Sequence, residues 1–297
     1  MNQTDIEQVR RFNRLVTKRI GVLEDSYLSR GRPLGEARVL FEIGLSGDTG
    51  LQGLRERLGL DSGYLSRLIR SLEGQGAIIL SRDEADARAR LARLTPKGEA
   101  EFEAYDRLSD QLASGLLEPL NPSQRTRLVA AMAEVERLLR ASSVTVELEP
   151  AGGADARWCL SEYYAELARR FDTGFDPSAG NNFDPAETTP PKGWFLIARL
   201  EGEPVGCGAL KRLDGATGEI KRVWTSPAVR GMGVASRIMD RLEAQAAEVG
   251  FDTVCLDTNK TLIEAHTLYR KLGYHEIAAY NDNPYAHHWF EKALRTV

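Results

Sequence analysis

Between EIKRVWT (residues 219–225) and VASRIMDRLEAQAAEVG (residues 234–250) the chain reads Arg230-Gly231-Met232-Gly233-Val234-Ala235. The first flank has the β-branched and aromatic content of a strand, closed by Pro227, and the second has the apolar spacing of an amphipathic helix ending at Gly250. Two glycines in the turn between them let the backbone wrap closely, so that successive N–H groups at the helix N-terminus converge on one anion. A diphosphate is the natural guest. A Walker loop would need Gly-Lys-Ser/Thr at its end, which is absent, and a dinucleotide fingerprint would need a glycine where Ser236 stands.

A second chemistry lies in the first half. Leu51, Leu54 and Leu58 mark a short helix that Gly59 ends, and Asp61 or Ser62 caps the next one. In that second helix Leu65, Leu68, Ile69 and Leu72 fall at core spacing, which leaves Ser62, Gly63, Tyr64, Ser66, Arg67 and Arg70 on the opposite face. Short polar groups near a helix N-terminus can approach base edges, and arginines reach guanine or phosphate. Gly76 then allows a sharp exit, and AIIL and RLARLT form a hairpin carrying Arg88 and Arg90 near its tip, suited to a narrow minor groove. Asp83, Glu84 and Asp86 dilute that charge, and Asp86 can orient Arg88 through an ion pair.

The elements that must position these groups divide near residue 144. Before it apolar residues recur at helical spacing, as in the stripe Leu128, Met132, Val135, Leu138 and Leu139. After it Val144, Val146 and Leu148 alternate as in a half-buried strand, and Asp155 can cap the helix that follows. We therefore expect two domains, 1–142 and 143–297, with almost no linker. Residues 173–193, rich in Pro, Gly, Asn and Asp, read as a long loop, either a lid or plain disorder.

Composition restricts the function classes. With 42% apolar residues the chain is not disordered, and no apolar run approaches the ~20 residues that span a bilayer. The N-terminus lacks signal-peptide order, so a soluble, cytoplasmic protein is expected. Cys159, Cys207 and Cys255 lie far apart and read as reduced core thiols, and the four histidines follow no zinc spacing, so no metal is expected. Net charge is -4 overall, yet residues 50–97 carry 9 basic against 6 acidic side chains, an excess that permits nucleic-acid contact.

The order helix, helix-turn-helix, Asp86-x-Arg88 wing and LTPKG followed by long helices resembles the MarR family of winged-helix transcription factors over about residues 5–142. The resemblance implies a homodimer formed by the terminal helices, about 5–29 and 98–141, that binds a palindromic double-stranded DNA operator with half-sites roughly one turn apart. A helical module that only dimerises is the alternative. The R-G-x-G-x-A string, with VTVELE before it, a hairpin turning at Gly202, then TVCLDTN, LYRKLGY and the closing strands, resembles the GNAT superfamily of N-acetyltransferases over about residues 144–297. The fold class expected is thus an N-terminal, mostly α winged helix-turn-helix domain and a C-terminal α/β mixed-sheet acyltransferase domain.

The second resemblance implies that amides of Arg230, Gly231, Met232, Gly233, Val234, Ala235 and Ser236 hold the pyrophosphate of acetyl-CoA. It also implies that main-chain groups along Val223, Trp224 and Thr225 meet the pantetheine and thioester carbonyl, stabilising a developing oxyanion. Tyr269 falls where many members place the general acid for the departing thiolate; a core aromatic is the alternative. Many members carry an asparagine seven residues earlier, where this chain has Leu262, and Asn259 is the candidate replacement. The attacking amine must lose a proton, and the candidate base is Glu219, which Lys221 and Arg222 would keep ionised; a strand-end acid with a water chain as base is the alternative. Tyr163, Tyr164, Glu166, Arg169, Arg170, Phe171 and Phe175 lie where the superfamily builds its acceptor pocket, and Arg169 or Arg170 could pair with a substrate carboxylate. A regulator that senses acetyl-CoA without turnover is the remaining alternative.

Overall fold

The computed structural model describes residues 2–21, 26–82, 90–172, 174–177 and 184–294, and the chain packs as two units, Met1–Ala131 and Met132–Val297. The first unit is helical, with α1 (Gln3–Arg19), α2 (Leu34–Ser46), α3 (Leu51–Leu58), α4 (Ser62–Gly74), α5 (Pro96–Leu117) and the start of α6 (Pro122–Ser142). Its small antiparallel sheet has the order β1 (Thr49–Gly50), β3 (Arg90–Leu94), β2 (Ile78–Arg82). The two compact units divide inside α6, and the last turns of that helix bond within the second unit. Arg137 Nη1 donates to the Gly231 carbonyl at 2.9 Å, and Arg237 donates to the carbonyls of Ala141 at 2.8 Å and Val144.

Local chemistry sets the helix-turn-helix. Gly59 takes the left-handed conformation (φ 60°) that stops α3, and the Asp61 carboxylate, not Ser62, caps α4 by accepting from the Tyr64 amide at 2.8 Å. Leu65, Leu68, Ile69 and Leu72 of α4 are buried with Leu40, Ile43 and Leu54. The buried Arg32 guanidinium donates to Glu36 at 2.8 Å, Gln75 at 2.7 Å and Glu101 at 2.5 Å, tying α2, the end of α4 and α5 to one charge. By contrast Val9, Phe12 and Leu15 of α1 and Val129, Met132, Leu138 and Leu139 of α6 are exposed. The α6 stripe is therefore not a core face of a single chain.

The second unit is a seven-stranded mixed sheet with helices on both faces. It comprises β4 (Thr145–Leu148), α7 (Ala154–Arg170), β5 (Gly193–Leu200), β6 (Glu203–Arg212), β7 (Thr217–Thr225), α8 (Val234–Glu248), β8 (Thr253–Thr258), α9 (Ile263–Lys271), β9 (His275–Ile277) and β10 (His288–Ala293), in the order β4-β5-β6-β7-β8-β10-β9. Alternation along β5 sends Trp194, Leu196, Ala198 and Leu200 to the core under α8, and Phe195 and Ile197 to the other side with Ala156, Cys159 and Leu160 of α7. The three cysteines are buried and form no disulfide, as expected of core thiols. Asp155 is not the cap of α7; Gly153 occupies that position, and the Asp155 carboxylate accepts from Arg199 Nη2 at 2.6 Å.

Every neighbouring pair in the large sheet is antiparallel except β7 and β8, which run parallel from Thr217↔Thr253 to Glu219↔Cys255 and then part. Beyond Glu219, β7 has no strand on that side among the described residues, so its remaining backbone borders an opening. Helix α8 must lie close to reach it. A Cβ at Gly208 of β6 would stand 2.7 Å from Ile238 Cγ2 and 2.9 Å from Leu242 Cδ1. Gly208→Ala is expected to lower stability by about 1–3 kcal/mol through overpacking, read as a lower urea midpoint with an unchanged slope.

Candidate cofactor groove and nucleic-acid interface

The turn between β7 and α8 places two glycines ahead of the first turn of the helix. Gly231 (φ 77°) and Gly233 (φ 75°) both adopt positive φ, where a side chain would be strained. A tight turn over Pro227–Val229 engages two of the seven amides, Arg230 with the Pro227 carbonyl at 3.3 Å and Met232 with that of Val229 at 3.2 Å. The amides of Gly231, Gly233, Val234, Ala235 and Ser236 find no backbone acceptor among the described residues. Five donors at the head of a helix, beside a groove of about 440 Å³, suit a diphosphate.

The groove runs from this cradle along Val223, Trp224 and Thr225 to Leu262, Ala265, Leu268 and Tyr269. Trp224 and Arg230 are anchored from below: the buried Glu166 carboxylate accepts from Trp224 Nε1 at 2.9 Å, Arg230 Nη2 at 2.6 Å and Arg170 Nη1 at 3.3 Å. Arg170 is thereby occupied, since it also donates to Thr261 O at 2.9 Å and grips Glu264 with both Nη atoms. It closes α7 onto α9 and is not disposed to receive a substrate carboxylate, while Arg169 points to solvent.

A second cavity, of about 90 Å³, opens beyond Tyr269. Tyr163, Leu167, Val223, Leu262, Ala265 and Tyr269 line both cavities, so the two meet at the Tyr269 ring. Burial raises the Tyr269 phenol well above its ordinary value, which keeps its proton in place near neutral pH. Glu219 lies outside both cavities. It is 4% exposed, accepts from Tyr280 Oη at 3.0 Å and Asn281 Nδ2 at 3.4 Å, and pairs with Lys221 Nζ at 3.0 Å. Among the described residues, the carboxylate in the lining of the second cavity is that of Asp257, at the end of β8, which accepts from Asn281 at 2.7 Å and Asn283 at 2.9 Å. Asn259 faces this cavity and not the cradle, and its amide serves the local turn, donating to Tyr285 O at 2.8 Å and accepting from the Thr261 amide at 3.0 Å.

Sequence reading passed over Asp257, Asn281 and Asn283. Asp257 carries one legible signal, an acid in an otherwise apolar strand, but its value depends on β8 lying parallel to β7.

In the first unit, Ser62, Gly63, Tyr64, Ser66, Arg67 and Arg70 are all exposed on α4, as expected. Arg67 lies over the Tyr64 ring at 5.5 Å, and Arg70 Nε donates to the Ser66 carbonyl at 3.2 Å. Arg90 of the wing shares a hollow with Ser62, Ser66 and Arg70, and so do Gln52 and Arg55 of α3, which sequence reading missed. Arg88, Asp83, Glu84 and Asp86 lie outside the described residues.

Comparison with known proteins agrees with both halves. Residues 33–89 match the family described as the MarR family, and residues 160–274 match that described as the acetyltransferase (GNAT) family. An IAA acetyltransferase of Azospirillum brasilense is 37% identical over 81 residues, 27% of this chain and 53% of that one. An uncharacterized N-acetyltransferase of Mycobacterium tuberculosis is 30% identical over 104 residues, 33% of this chain and 67% of that one. Among solved structures, a MarR mutant of Escherichia coli complexed with operator DNA is 24% identical, covers 44% of this chain and 95% of its own, and has a TM-score of 0.39. The chain spans about half the length of the first two curated relatives it matches, 53% and 52%.

Arg170 holds the Glu264 carboxyl down to about 2, below its ordinary 4.5, against a smaller opposing effect of burial. A depressed carboxyl contributes stability that is complete above about pH 4.5 and is lost as pH falls toward 2. Glu264→Gln is therefore expected to flatten the fall in Tm across that window, with the difference from wild type vanishing at its acid end.

With a winged helix-turn-helix on one side and a glycine cradle over a splayed sheet on the other, each matched by its own family, the chain belongs to the GNAT acetyltransferases and carries a MarR-family domain ahead of the enzyme fold.

Proposed function

We propose that the protein binds a palindromic operator as a homodimer and transfers an acetyl group from acetyl-CoA directly to an amine. The observation that carries the enzymatic half is the set of five unengaged amides at Gly231 and residues 233–236, in a groove that meets a second cavity at Tyr269. When bound, acetyl-CoA supplies the acetyl group activated as a thioester.

The chain's own groups then divide the work. The cradle amides neutralise the diphosphate, and the β7 edge beyond Glu219 offers main-chain partners at Val223 and Thr225. Tyr269, held protonated by burial, gives its proton to the departing sulfur. Asp257 takes the proton from the incoming amine, since it is the carboxylate lining the acceptor cavity. Glu219 acts through Asn281, whose amide bonds to both acids, and so fixes the position of Asp257.

The regulatory half rests on the exposed face of α4 and the arginines around it, Arg55, Arg67, Arg70 and Arg90. Dimerisation through the terminal helices is supported by the apolar residues that α1 and α6 leave exposed. The cytoplasm is the compartment in which both activities would operate, and no helix among the described residues is long and apolar enough to cross a membrane.

Two outcomes test these assignments. Tyr269→Phe should lower kcat on the order of 10²-fold while acetyl-CoA affinity stays within about twofold, and an unchanged kcat excludes the acid role. Arg67→Ala should weaken binding to the protein's own upstream fragment and reduce the salt slope by about 0.9 in a band-shift series. Absence of any salt-sensitive shift with wild-type protein would leave the helical half as a dimerisation module.

A further inference from the structure

The end of α6 and the start of α8 exchange two arginines. Arg237, in the first turn of α8, donates to the carbonyls of Ala141 at 2.8 Å and Val144, which brings a cation and two donors to the C-terminal end of α6. Arg137, near that end, donates through Nη1 to the Gly231 carbonyl at 2.9 Å. It lies ahead of β4, the first strand of the large sheet, yet its side chain reaches the turn that carries the five unengaged amides.

This guanidinium is aimed. Glu134, one turn back along α6, accepts from Arg137 Nε at 3.0 Å and from Nη2 at 2.7 and 2.6 Å, which directs the remaining nitrogen toward Gly231. The peptide between Gly231 and Met232 is thereby held at both ends, its carbonyl by Arg137 and its amide by the Val229 carbonyl at 3.2 Å. The two glycines of the turn also differ in their surroundings. A Cβ at Gly233 would meet nothing within 4 Å, whereas one at Gly231 would stand 2.8 Å from Arg137 Nη1. Gly231 thus serves the approach of Arg137 as well as its own φ of 77°.

We propose that Arg137 is a positioning residue of the cofactor site. By holding the Gly231 carbonyl toward α6, it fixes the turn in the form that presents the neighbouring amides to a diphosphate. A peptide that follows a glycine rotates easily, and a rotated one would bring a carbonyl oxygen toward the anion. Arg137 does not line the groove, so it acts through the Gly231 peptide and not by touching the cofactor. The Glu134 carboxylate offsets its charge, so the effect is one of geometry. The inference rests on the reading of the glycine turn as a diphosphate site and adds to it a side chain from outside the enzyme's sheet.

The test is calorimetry on the full chain with acetyl-CoA, comparing wild type, Arg137→Ala and Arg140→Ala. Arg140 sits on the same end of α6 and pairs with Glu201 at 3.6 Å, away from the glycine turn, so it reports on the seating of the helix alone. Arg137→Ala should weaken acetyl-CoA binding about tenfold, as expected for loss of a charge-assisted bond, and kcat at saturating cofactor should stay within about twofold. Arg140→Ala should leave the affinity within about twofold. The dephospho analogue of acetyl-CoA, which keeps the diphosphate and lacks the ribose phosphate, should lose the same factor in Arg137→Ala. Unchanged affinity in Arg137→Ala, an equal loss in Arg140→Ala, or a loss that disappears with the dephospho analogue would overturn the inference and leave the diphosphate site standing. Failure of the wild type to bind acetyl-CoA would remove that site and this inference with it.

Discussion

The parting of β7 from β8 after Glu219↔Cys255 is the constraint on which the second unit depends. A parallel pair held to the end would bury the edge of β7 in a ladder and leave no room for a ligand between the strands. Because the pair opens, the chain from Ile220 to Thr225 has no strand partner on one side among the described residues and lines the two cavities there, with the first turn of α8 beside them. The two cavities are arms of this opening, joined where Tyr269 and Val223 line both. Closing the rest of the sheet with antiparallel strands concentrates the irregularity at the place where chemistry needs it.

The glycine cradle was legible because its meaning is local. Two positive-φ positions followed by a helix specify converging amides whatever the rest of the chain does. Even there, the turn over Pro227–Val229 absorbs the amides of Arg230 and Met232, an economy that residue types alone do not reveal. Helix α4 was legible for the same reason, since its cap, its core stripe and its polar face all follow from spacing along one short segment.

What escaped the sequence depends on pairings between distant segments. Asp257 enters the acceptor cavity only because β8 runs beside β7, and Asn281 and Asn283 hold it from a segment more than twenty residues further on. Counting back from Tyr269 assigned Asn259 to the cofactor, but the chain turns at the end of β8 and spends that amide on Tyr285 and Thr261. Arg170 looked like a carboxylate receptor in sequence and is one, though for Glu166 and Glu264 of the protein itself. Glu219 is the counterpart: an acid at the right strand end, but enclosed by Tyr280, Asn281 and Lys221.

All of the enzymatic account follows from anion binding by the amides around Gly231 and Gly233. Isothermal titration of acetyl-CoA into wild-type protein and into Gly233→Asp tests it most directly, because the substitution sets a carboxylate where the diphosphate would lie. The account predicts saturable binding to the wild type and none to the variant at a temperature where circular dichroism shows both to be folded, the positive φ of Gly233 making the variant somewhat less stable. Equal affinity for both proteins would contradict it.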